Sequence, residues 1–142
     1  MRARSVFPAT AAAAALALIV SALPTGAPPA AAISSVESTS VGDGPTSLVL
    51  NRQGTYAFTA NLLADTVTAI RLSDRTTTTI VVNDQPTDLQ MRPGTDELWV
   101  TNYGTGTISI INTVTLQQTE FFSTVGAPGD IAFLPDGSRA FV

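Results

Sequence analysis

From Val41 onward the chain is a succession of short apolar and β-branched runs separated by clusters of Gly, Pro, Asn and Asp. A helix would need apolar residues at i, i+3, i+4 and i+7 over ten or more positions. The runs here are too short for that and have the composition of strands. The pattern predicts strands at Thr46–Leu50, Thr55–Ala60, Thr66–Leu72 and Thr76–Val82, then at Thr87–Met91, Glu97–Thr101, Thr107–Asn112 and Gln117–Ser123. Two more are predicted at Asp130–Leu134 and Arg139–Val142. Val67, Ala69 and Leu72 are expected to face inward on the third strand. The fourth, with its four threonines, reads as an outer, half-solvated strand.

These strands repeat. Pro45-Thr46-Ser47-Leu48 recurs as Pro86-Thr87-Asp88-Leu89, a step of 41 residues (86 − 45), and again as Pro128-Gly129-Asp130-Ile131, a step of 42 (128 − 86). In the same steps Phe58 becomes Trp99 and then Phe141, and Leu48 becomes Leu89 and then Ile131. These two sets are expected to be core between repeats, because a propeller blade buries its faces only against its neighbours. A period of roughly 40 to 45 residues with four strands per unit is the mark of such blades, and helical repeats of similar length lack the strand composition seen here. The fold class is therefore all-β, a β-propeller of four-stranded antiparallel blades. The units are 41–81, 82–124 and an incomplete 125–142, about two and a half blades. Propellers close with about 4 to 8 blades, so the sequence is expected to be a portion of a longer protein.

Composition changes the picture at the N-terminus. Arg2 and Arg4 precede an apolar stretch from Ala9 to Ala22, and Ala30-Ala31-Ala32 offers a small-residue cleavage site. Residues 1–32 read as a secretory signal peptide, since the apolar run is shorter than the ~18 residues of a spanning helix. Residues 33–40, rich in Ser and Thr, read as a linker. No second apolar run of spanning length follows, so no membrane span is expected after cleavage, and the expected location is secreted or cell-surface. Without its first 32 residues the chain holds five Arg and eleven Asp plus Glu, a net charge of −6 (5 − 11), and it has no Lys. Such a surface does not suit nucleic acid.

The sequence resembles the YVTN-type β-propeller repeat family, which includes YncE-like proteins. Trp99-Val100-Thr101-Asn102 stands for the family signature, with Thr107-Ile108-Ser109-Ile110-Ile111-Asn112 after it. Val125-Gly126, Pro128 and Pro135-Asp136-Gly137 fall in the family's order, and Phe58-Thr59-Ala60-Asn61 is a looser copy of the signature. The resemblance covers residues 41–142. It implies the propeller fold, and through related lactonase-type propellers it leaves a hydrolase open.

Candidate chemistry is sparse. The chain has no His and no Cys. A Ser-His-Asp or Cys-His nucleophile is excluded for this chain, as is a thiolate or imidazole metal site. The lack of Lys excludes a P-loop, and Gly104-Thr105-Gly106 reads as a turn. No catalytic residue, cofactor or metal is assigned. One constellation follows from topology. In an antiparallel blade the segment entering strand one lies beside the connection between strands two and three. That sets Asp43 and Asp84 near Asn61 and Asn102, with Asp65 and Tyr103 close by. Their oxygens could bind Ca²⁺ or a small polar ligand. The alternative is that they are turn formers, a common role for Asn and Asp. The function read from the sequence is a non-catalytic binding or surface-interaction module whose partner is a small polar ligand, a surface protein or a glycan. A lactonase-like hydrolase is the alternative.

Overall fold

The computed structural model describes residues 38–142. The expected signal peptide and residues 33–37 of the expected linker lie outside the described residues. Ten strands follow: β1 (Pro45–Leu50), β2 (Tyr56–Asn61), β3 (Thr66–Arg71), β4 (Thr77–Val81), β5 (Pro86–Met91), β6 (Glu97–Asn102), β7 (Thr107–Asn112), β8 (Gln117–Ser123), β9 (Ala132–Phe133) and β10 (Ala140–Phe141). They form two four-stranded antiparallel sheets, β1-β2-β3-β4 and β5-β6-β7-β8, and a hairpin of β9 and β10. Strand order in each sheet is chain order, as a meander of short connections requires. Among the described residues there is no helix, so none is long and apolar enough to cross a membrane.

The predicted strands all form, with ends moved by a residue or two. The largest change is in the third unit, where the strands expected at Asp130–Leu134 and Arg139–Val142 shrink to the two-residue β9 and β10. Turns are held by side chains that imitate backbone acceptors. Asn51 Oδ1 accepts the N–H groups of Thr55 at 2.8 Å and Tyr56 at 3.0 Å. Asp136 Oδ1 accepts the Ser138 N–H at 3.0 Å.

Side chains alternate across a strand. Phe58 and Ala60 therefore share a face with Val67, Ala69 and Ile80, which are their cross-strand neighbours. That face meets Leu89, Leu98, Val100 and Ile111 of the second sheet, and together with Val82 they make one buried cluster. The other face of the second sheet carries Trp99, half-buried and met edge-on by Phe122 at 5.2 Å and Phe133 at 5.1 Å. Phe133 comes from the third unit, so each unit packs onto the next.

Exposure of the repeat's core positions differs from unit to unit, and the expectation for Leu72 is corrected. Leu48 is 63% exposed although its equivalents Leu89 and Ile131 are buried, because no sheet covers that face of the first unit among the described residues. Phe141 is 59% exposed for the same reason at the other end. Leu72 is exposed because it follows the end of β3, with a parity opposite to Val67 and Ala69. Thr77, Thr78 and Thr79 on β4 are exposed, as an outer strand requires.

Candidate functional site

The site expected from topology begins with two backbone clasps. In the first unit the Leu63 N–H donates to the Asp43 carbonyl at 3.2 Å, and the Leu62 N–H to the Gly44 carbonyl at 2.9 Å. In the second the Gly104 N–H donates to the Asp84 carbonyl at 3.1 Å, and the Tyr103 N–H to the Gln85 carbonyl at 2.9 Å. The segment entering each first strand thus lies on the connection between the second and third. Asp65 Oδ1 accepts the Gln85 N–H at 2.8 Å and ties the first unit's connection to the second unit's entry. The left-handed conformation that brings this about recurs in step: Gly44 and Gln85 have φ of 67° and 56°, and Asp65 and Gly106 have φ of 53° and 63°.

The four candidate side chains separate into two pairs. Asp43 and Asp84 are exposed on these loops. Asn61 and Asn102 are fully buried at the ends of β2 and β6. Asn61 Nδ2 donates to Thr66 Oγ1 at 3.1 Å and Thr68 Oγ1 at 2.9 Å, and its Oδ1 accepts from Thr59 Oγ1 at 3.1 Å. Asn102 Nδ2 donates to Thr107 Oγ1 at 3.2 Å and Ser109 Oγ at 2.9 Å. Each Asn therefore stitches its second strand to the third. Asn102 Oδ1 is buried and has no hydrogen-bond partner, because Val100 stands where the first unit has Thr59. Tyr103 is half-exposed, and the clasp holds it on Gln85, the residue after Asp84. Among the described residues no three of His, Cys, Asp and Glu gather in a metal-binding group.

Sequence reasoning missed the polar links between units. The β1–β2 and β5–β6 ladders both slip at the second residue, Thr46 and Thr87. A bulge re-aims the extra residue. Thr46 Oγ1 donates to the Thr87 carbonyl at 2.9 Å, and Thr87 Oγ1 to the Gly129 carbonyl at 3.1 Å. Asp88 accepts the Ser47 hydroxyl at 2.9 Å and the Ile131 N–H at 3.1 Å, so one carboxylate joins three successive units. Thr101 Oγ1 donates to the Gly129 carbonyl at 2.7 Å and accepts the Asp88 N–H at 2.9 Å. The signal was the spacing of Thr46-Ser47 and Thr87-Asp88 in the repeat.

No protein-family model matches the chain, and no curated protein matches it in sequence. Solved structures do. Hydrazine synthase of Kuenenia stuttgartiensis matches with a TM-score of 0.65 at 22% identity, over 76% of this chain and 31% of that one. A candidate 6-phosphogluconolactonase of Bacteroides fragilis matches with a TM-score of 0.59 at 23% identity, over 72% of this chain and 32% of that one. The WD40 repeats of RRP9 match with a TM-score of 0.53 at 15% identity, over 60% of this chain and 26% of that one. The fold is a β-propeller, present in part. The chain spans about a third or less of the structures it resembles, and at these identities the likeness shows the fold alone.

Proposed function

We propose that this chain belongs to an exported, non-catalytic propeller of the YVTN type, whose loop end binds a small polar ligand, a surface protein or a glycan. The observation that carries this reading is the use made of Trp99-Val100-Thr101-Asn102. Trp99 packs on Phe122 and Phe133, Val100 lies in the inter-sheet core, Thr101 bonds to the third unit, and Asn102 bonds to β7. All four build the scaffold. What the loop end offers to a partner is Asp43, Asp84 and Tyr103, an acidic and aromatic surface suited to hydrogen bonding and stacking. The location rests on the arginines, apolar run and alanines of residues 1–32.

A second reading, a lactonase-like hydrolase, is favoured by the likeness in fold to the candidate 6-phosphogluconolactonase. Fold alone is a poor warrant for chemistry. Two measurements on the purified full chain separate the readings: binding to a glycan array, and turnover of a δ-lactone followed by acid release. The first reading expects array binding that is lost in Asp84→Ala and Tyr103→Ala, with lactone decay at the buffer rate. Lactone turnover above that rate would replace it with the second.

A further inference from the structure

We propose that the first unit binds a small organic carboxylate at its turn end, on Arg71 and the Tyr56 hydroxyl. This site lies at the end opposite the acidic loops, so it stands apart from the reading above.

The β1–β2 and β3–β4 turns leave the first sheet at the same end. An open groove of about 640 Å³ lies there, lined by Gly54, Thr55, Tyr56, Arg71, Leu72 and Ser73. Small-molecule sites have volumes of about 300–1,000 Å³. Tyr56 packs against the core shared by the two sheets, and Gln53 Nε2 donates to Asp96 Oδ1 at 2.7 Å. The groove therefore adjoins the junction with a unit that is present. Propeller blades pack side by side through their sheet faces, so further blades leave an end made of turns open.

Arg71 is set in place before any ligand arrives. It stands directly across from Tyr56 in the β2–β3 register. Its Nε–H donates to Tyr56 Oη at 3.1 Å, its guanidinium carbon lies 5.8 Å from the Tyr56 ring centre, and Nη1 donates to Asp74 Oδ2 at 3.4 Å. Among the described residues no other bond engages this guanidinium. Its planar fork of N–H donors matches a carboxylate. Tyr56 Oη accepts from Arg71 and keeps its own hydrogen to donate to the same anion. Tyr56 and the exposed Leu72 offer an apolar wall to the ligand's body. Asp74, so close to Arg71, favours a singly charged group over a phosphate dianion.

The distribution of charge points the same way. Every arginine of the described residues is at the turn end: Arg52, Arg71, Arg75, Arg92 and Arg139. The acids of that end are engaged, Asp74 and Asp136 by turn N–H groups, Asp96 by Gln53 and Glu97 by Arg92. The loop end has Asp43, Asp65, Asp84 and Asp130 and no basic residue among the described ones. An anion is thus drawn to one end and repelled from the other.

Benzoate and its uncharged analogue benzamide, titrated into the isotope-labelled full chain and followed by NMR, test this. Benzoate should give saturable shifts at the Gly54, Thr55 and Ser73 amides and at Arg71 Nε–H, and benzamide should give none there. Arg71→Gln should weaken benzoate binding at least about tenfold, and Tyr56→Phe about threefold to tenfold. Asp74→Asn keeps an oxygen for the Thr76 N–H and removes the competing charge. It should tighten binding severalfold, a gain that a misfolded variant cannot give. Benzoate shifts no larger than those of benzamide, binding unchanged in Arg71→Gln, or binding weakened in Asp74→Asn would each overturn the proposal.

Discussion

The contrast between Asn61 and Asn102 turns on one atom. Thr59 supplies a hydroxyl to Asn61 Oδ1, whereas Val100 leaves Asn102 Oδ1 buried and unbonded. An unsatisfied buried acceptor costs about 1–3 kcal/mol. Val100→Thr is nearly isosteric and restores the donor, so it should change stability by less than about 1 kcal/mol. Val67→Thr, at an equally buried position among Ala60 and Ile80, gains no such acceptor and should cost about 1–3 kcal/mol. Urea melts of the two variants check the difference, and equal losses would mean that the Asn102 carbonyl is satisfied in another way. Trp99 is half-buried, so Trp99→Ala should cost about 3 kcal/mol, the low end for a core aromatic, measured in the same way. The carboxylates of Asp74 and Asp136 are both held below the usual range by backbone N–H donors, from Thr76 and Ser138 respectively, with the hydroxyls of the same residues adding to the effect. Their folded pKa values lie below the unfolded ones. What they contribute is present above about pH 3.9 and is lost as the pH falls through the folded value. Carboxyl-carbon NMR titration should give midpoints below about 3.9 for both.

At the level of the element, backbone shape repeats more faithfully than sequence. Arg75 and Leu116 stand one repeat apart with φ of 62° and 57°, as Gly44 and Gln85 do with a glycine in one copy only. The turn is fixed by the strands it joins and by the bonds across it, and the residue that fills it is secondary. Where a left-handed residue also touches another unit, the tolerance ends. Gly137 has φ of 68°, and a Cβ there would lie 2.7 Å from the Pro93 carbonyl oxygen. Its own carbonyl accepts Arg92 Nε–H at 3.1 Å, so this glycine seats the β9–β10 hairpin on the second sheet. Gly54 has φ of 64° but open space around it. Gly54→Ala should therefore cost only the left-handed strain, about 1–2 kcal/mol. Gly137→Ala should cost clearly more and should release the hairpin, read as a loss of Trp99 fluorescence shift on Phe133 displacement. Equal thermal shifts for the two would show that the hairpin gives way freely.

For the molecule as a whole, the 41-residue step made the sheets legible, because period-2 alternation and turn residues recur together at Pro45 and Pro86. Leu48 and Phe141 are exposed although their equivalents Leu89 and Phe58 are buried, because a repeat reports what a position does between neighbouring units, and no sheet covers these two among the described residues. The candidate site was legible as topology, in the clasps at Asp43 and Asp84, but not as side-chain direction. Whether Asn102 reaches solvent or β7 depends on Thr107 and Ser109 coming within 3.2 Å, and spacing along the chain does not state that. The same arrangement predicts a gradient of stability. The second sheet is packed on both faces, by Phe58 and its neighbours on one side and by Phe133 on the other. Among the described residues the first sheet is packed by another sheet on one face only, and the third unit is a hairpin of two-residue strands. Local opening tracks missing apolar contacts. Amide hydrogen exchange should therefore be slowest in β6 and β7, faster in β2 and β3, and fastest in β9 and β10. Uniform protection across all three units would show instead that they unfold as one cooperative body.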